Sequence, residues 1–217
     1  METTYIAIGR FGFWCGVVAA LATLTFVVAQ VAQLAGILQF PLDEVLIYGT
    51  SLCIVVPFLL EMLALHHLTE SAGRFWTHAA LVFTILYAVF VVSNYVVQLA
   101  TVIPARLNGS AAAIVILEQT PHSLFWNFDA IGYISMGLAT LTAIPAIGDR
   151  GFERWVKWSL ISHALVTPLI AFVYFYPAFS ESLLLLGLPW AITAPLFMAL
   201  VAIMLRKRAV TGGDATA

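Results

Sequence analysis

Charge is what this sequence has least of. Of its 217 residues, 9 are Lys or Arg and 11 are Asp or Glu, so 9% are charged, against roughly 25% in an ordinary soluble domain. With 62% hydrophobic residues and a mean hydropathy of +1.01, there is too little polar surface to hold the chain in water as a globular domain. The net charge of -2 and the lack of any basic cluster besides Arg206-Lys207-Arg208 exclude a nucleic-acid partner. Cysteine is almost absent: Cys15 and Cys53 stand alone, without a CxxC, which argues against a disulfide or a thiolate zinc site. Gly9, Gly12 and Gly16 follow no strand and precede no GK[ST], so they form no phosphate loop. Ser135-Met136-Gly137 lacks the GxSxG elbow of serine hydrolases.

What is present is a series of long apolar runs. A membrane-crossing helix needs about 20 residues, and breaks at charge, proline and turn residues divide the chain into six spans, near 11–36, 45–67, 76–103, 124–147, 155–176 and 182–205. The predicted fold is an all-α polytopic membrane bundle in which 1–208 form a single six-helix domain and 209–217 a short disordered C-terminal tail. Arg10 ahead of an apolar run imitates a signal peptide, but the uncharged stretch continues through 11–42, too long for a cleavable core. Both 21–25 and 138–142 read LATLT, without the extension into neighbouring spans that an inverted repeat requires.

Orientation follows from the cationic residues, because Lys and Arg beside spans are retained in the cytoplasm. Arg10, Arg74, Arg150, Arg154, Lys157 and the 206–208 triplet fall on one side and Arg106 alone on the other. Both termini are therefore expected to be cytoplasmic, in a cell (inner or plasma) membrane. Trp76, Trp126, Trp155 and Trp158 fall near span ends, as an interfacial belt would place them. The longest break, 106–123, contains AAAIVILEQ and is expected to form a short interfacial or re-entrant helix over the outer mouth. Asn108-Gly109-Ser110 in that loop matches a glycosylation acceptor, a three-residue pattern that recurs by chance.

Polar residues inside the spans carry the functional reading. Asp129 lies within the fourth run, where exposure to lipid costs about 2.5 to 3.5 kcal/mol on the most lenient scale. It must therefore face the bundle. At 1.5 Å of rise per residue, Asn94 and Asp129 lie roughly 7 to 9 Å toward the outside from midspan, with Gln30, Gln33 and Gln98 at similar or shallower depth. Glu61 and His163 lie roughly 7 and 4 Å toward the cytoplasm. Two layers result, with Asp129 paired to Asn94 and Glu61 to His163. Pro57 and Pro168 free backbone carbonyls near the inner layer. The sixth span has no Asn, Gln or ionisable residue between Leu183 and Leu205 and is expected to face lipid most.

These layers admit a structural reading, in which the polar groups tie the bundle together, and three functional ones. The first is small-molecule binding or proton-linked transport through an intramembrane polar cavity built from Asn94, Gln98, Asp129, Glu61 and His163. The second is a membrane enzyme acting on a lipophilic substrate, with Glu61 and His163, or Asp129 and Tyr133, as acid and base. The third is an accessory subunit of a larger membrane complex, a role that scarce extramembrane mass suits, as it does a homo-oligomer. His66, His67 and His78 are the weakest candidates, for a metal or haem site; their spacing matches no ligand motif, and no cofactor is specified. Among the functional readings the cavity ranks first, because neither layer offers an evident nucleophile.

Overall fold

The computed structural model describes residues 2–110, 112 and 114–214, with the backbone alone at 2, 181 and 211–214. Among the described residues there is no strand, and six helices are long and apolar enough to cross a membrane. They are α1 (Glu2–Leu34), α2 (Leu42–His67), α3 (Arg74–Val97), α4 (Leu124–Ala143), α5 (Gly151–Phe175) and α6 (Leu188–Asp214). Helix α3 runs on through a π-helical turn at Gln98–Val102 and a last α-turn at Ile103–Leu107. Pro104 lies just beyond the π turn, which lets the helix absorb a residue without an N–H donor.

Short connections make consecutive helices antiparallel neighbours. Each helix packs on the next, and α6 returns to α1, so the six form a ring closed in chain order. Both termini lie at one end; the other is called distal below. The least hydropathic span, α4, is also the most enclosed. That match is physical, since a helix carrying an acid must be covered by protein.

The closure between α1 and α6 depends on small residues. A methyl group on Gly12 would meet the Ala64 Cβ at 2.5 Å and the Leu205 Cδ1 at 2.8 Å, and one on Gly16 would meet the Ala202 Cβ at 2.7 Å. Backbones approach this closely only where a side chain is missing. This packing overturns the expectation for the sixth span. Far from facing lipid most, α6 buries Trp190, Ala194, Phe197, Met198, Val201 and Leu205, whereas α1 and α3 are the most exposed. Freedom from polar groups therefore did not predict exposure, because close helix contact is driven by shape and small residues.

The last helix runs into the stretch expected as a tail. Helix α6 continues to Asp214, and Ala209 is buried against Gly9 of α1, which prevents the chain from fraying after 208. Residues 215–217 of the expected tail lie outside the described residues. At the same end Glu153 accepts from Arg208 at 2.8 Å and from the Gly148 N–H at 2.8 Å, joining α5 to α6. Lys157 pairs with Asp149 at 2.7 Å.

Candidate functional site

Ser123 starts α4 by accepting the Trp126 N–H on its side chain at 3.1 Å, the usual N-cap arrangement. Asp129 follows more than one turn later and points into the ring, 4% exposed. Three donors converge on it. Tyr95 of α3 donates its hydroxyl to Oδ1 at 2.7 Å, Asn94 its amide to Oδ1 at 3.4 Å, and Tyr174 of α5 its hydroxyl to Oδ2. Tyr133, one turn along α4, has its hydroxyl 3.2 Å from that of Tyr95. The single Tyr95 proton goes to Asp129, so Tyr133 is the donor to Tyr95.

The segment between α3 and α4 completes this wall. Its described residues form no interfacial helix beyond Leu107 but make a 3-10 turn at Val115–Leu117 and then turn inward; residues 111 and 113 lie outside the described residues. Gln119 enters the site, where its Oε1 accepts from Asn94 at 3.0 Å and its backbone N–H donates to Gln98 Oε1 at 3.2 Å. Gln98 also donates to the Leu117 carbonyl at 2.8 Å. The polar groups of α3 thus draw the segment toward Asp129, because buried amides need partners that lipid cannot supply. Arg106 is held at this end by Glu44 at 2.6 Å, with its guanidinium 4.1 Å from the centre of the Phe40 ring.

Around Asp129 lies a cavity of about 420 Å³, to which all six helices contribute. Phe26, Tyr48, Trp126, Tyr133, Tyr174 and Trp190 give it aromatic walls, and Asp129 stands at one side. Tyr48 stacks on Tyr95 with ring centres 5.3 Å apart, and Trp126 lies 4.6 Å from the Tyr174 ring while donating its indole N–H to the Tyr174 carbonyl at 3.2 Å. On α1, Gln30 donates to Gln33 at 3.0 Å, and Gln33 donates to Asp43 Oδ2 at 2.9 Å. One turn below, Ile54, Phe58, Tyr87, Met136, Phe197 and Met198 close the ring with no more than 1% exposure each. The cavity therefore belongs to the distal half alone.

Asn94, Asp129 and Tyr133 thus meet, but Asn94 and Gln98 do not line the cavity; they hold Asp129 and Gln119 in its wall. Glu61 and His163 are not in it either, and the expected pair between them is absent. His163 sets its Nδ1 3.0 Å from the Thr193 hydroxyl, which itself donates to the Pro189 carbonyl at 3.0 Å, so the imidazole N–H is the donor. Its ring packs on Phe197 at 4.7 Å. Glu61 is fully buried between Gly16 and Ala202, with neither carboxyl oxygen hydrogen-bonded. The two residues match in depth, but α2 and α5 are not neighbours in the ring.

The rings of His66 and His78 are 5.4 Å apart and those of His66 and His67 5.9 Å apart. His66 Nδ1 is engaged with Thr77 at 3.1 Å and His67 Nδ1 with the Leu63 carbonyl at 3.0 Å. Among the described residues no three His, Cys, Asp or Glu side chains are arranged to hold a metal ion.

Tyr95, Tyr174, Gln119, Tyr48 and Trp190 were not among the expected site residues, and Trp126 was expected only in the interfacial belt. Of the tyrosines around Asp129 only Tyr133 was expected there, although the hydroxyl of every buried tyrosine needs a partner as an amide does. Comparison with protein-family models, curated proteins and solved structures gives no match to this chain.

Proposed function

We propose that this chain is a multi-pass membrane protein with both termini in the cytoplasm, and that its distal cavity opens to the outside and binds a small molecule there. Orientation rests on the cations: Arg10, Arg74, Arg150, Arg154, Lys157 and 206–208 gather at the end bearing the termini, and Arg106 is alone at the distal end. Arg106 is also occupied there by Glu44.

The observation that carries the binding reading is the contrast between two levels of one ring. Its lower half is filled by side chains with almost no exposure, while its distal half leaves about 420 Å³ around a buried carboxylate. Voids in packed bundles cost stability in proportion to their volume. Concave, largely apolar sites with a few convergent polar groups are where small ligands bind. The packed layer beneath favours binding over a continuous conduit, since passage to the cytoplasm requires that layer to part.

Native mass spectrometry of protein extracted in mild detergent tests this reading. The expected result is a discrete small-molecule adduct on the wild-type chain that is lost when Ala191, a cavity-lining residue of α6, is enlarged in Ala191→Trp. An adduct of equal occupancy in both proteins would place the ligand elsewhere and defeat the proposal.

A further inference from the structure

We infer that the ligand of this cavity is an organic cation, an ammonium group carried on an apolar body. The inference rests on the cavity's being a ligand site and goes beyond it to the chemical class. It comes from the charge and aromatic surface of the wall and from the protons that surround Asp129. The hydroxyl protons of Tyr95 and Tyr174 and an amide proton of Asn94 are spent on Asp129, and that of Tyr133 is spent on Tyr95. Gln33 donates to Asp43 and Gln30 donates to Gln33, while the Trp126 indole N–H is spent on a backbone carbonyl.

Acceptors remain. A carboxylate offers about four lone-pair positions, and the protein fills two on Oδ1 and one on Oδ2 of Asp129. The Gln119 side chain also reaches Asp129, so the acceptors left for a ligand are what it leaves open on the carboxylate, the lone pairs of the Tyr174 hydroxyl and the Gln30 carbonyl. These acceptors suit a ligand's N–H groups, although the Trp190 indole N–H in the same wall is without a partner.

Charge and surface point the same way. Among the described residues no Lys, Arg or His lines the cavity, whereas Asp129 and Glu44 do, and Glu44 already has Arg106. Asp129 has only neutral donors around it, so its charge is solvated but not cancelled. Rings from all six helices line the cavity, and aromatic side chains attract cations through their π-electron faces. An anion would meet an uncancelled carboxylate here. A neutral apolar molecule would bury that carboxylate further without compensating it.

Three probes of nearly the same shape separate the possibilities: 2-phenylethylamine, which is cationic at neutral pH; 2-phenylethanol, which is neutral; and 3-phenylpropionate, which is anionic. Each is titrated by calorimetry into the intact protein in an uncharged detergent at neutral pH. The expected result is that the amine binds about tenfold or more tightly than the alcohol and that the carboxylate binds least. In Asp129→Asn this preference falls to about threefold or less. Tyr174→Phe tests the same point if Asp129→Asn does not fold. It removes the donor on Oδ2 and leaves that oxygen to the ligand, so the amine preference increases, an outcome that a merely structural role for Asp129 would not produce. Alcohol or carboxylate binding equal to or tighter than amine binding overturns the cation assignment and leaves the cavity a ligand site. Failure of all three to bind up to about 10 mM overturns both.

Discussion

Asp129 and Glu61 are both carboxyl groups in the interior of one bundle, and they differ in what surrounds them. Asp129 receives two hydroxyls and an amide. Glu61 receives none, and its head lies in the notch left by Gly16. A buried polar group without partners costs about 1 to 3 kcal/mol, and an apolar residue of similar shape removes that cost. Glu61→Met is therefore expected to raise the thermal midpoint of the detergent-purified protein by a few degrees, corresponding to about 1 to 3 kcal/mol. A lower midpoint in a thermal melt would mean that Glu61 has a partner this packing does not provide. Depth along a helix, which the sequence gives through residue count, placed Glu61 and His163 in one layer. It did not give their bearing around the helix axis, and bearing decided that they do not meet. Asn94 and Asp129 met because α3 and α4 are neighbours as well as matched in depth.

Among the elements, the α1–α6 contact closes the ring, and the Gly9, Gly12 and Gly16 face makes it possible. The Gly12 position has Ala64 on one side and Leu205 on the other, so an added side chain has no space to enter. Overpacking of this kind costs about 1 to 3 kcal/mol. Gly12→Val is expected to lower the thermal midpoint and the yield of monodisperse protein, while Gly49→Ala, where a Cβ meets nothing within 4 Å, leaves both close to wild type. Equal behaviour of the two variants in melting and size-exclusion profiles would show that α1 does not pack on α6 in this way. The existence of six spans was legible in the sequence, because the length of a bilayer-crossing helix is dictated by hydrocarbon thickness. The burial of α6 was not, because the reading looked for polar faces and this interface is made of Gly, Ala and Leu. The segment after α3 was misread for the converse reason: AAAIVILEQ looks like an apolar helix, but its course is set by Gln98 and Asn94 of another element holding Gln119.

At the scale of the whole molecule, a ring closed in chain order can be packed at one end and hollow at the other. Prolines inside α2, α5 and α6 and the π turn of α3 leave these helices free to bend away from a straight bundle. The apolar composition announced the bundle, and Asp129 announced that some part of it is polar inside. A polar cavity was expected, but its place and lining were not legible, since they depend on how six helices splay and where aromatic side chains stop short of one another. Tyr95 and Tyr174 illustrate this. Each looks like an ordinary span tyrosine until the ring brings both hydroxyls to the same carboxylate.

The central claim is that this hollow opens to the outside while the level below it is closed. Single cysteines in a background without Cys15 and Cys53 test that claim in intact cells with a membrane-impermeant thiol reagent. Ala191→Cys puts the thiol in the cavity wall, and Ala202→Cys puts it in the packed lower half. The account predicts that the reagent applied outside modifies the first and not the second. Modification of Cys at 191 only after the cells are permeabilised, or equal modification at both positions, would contradict it.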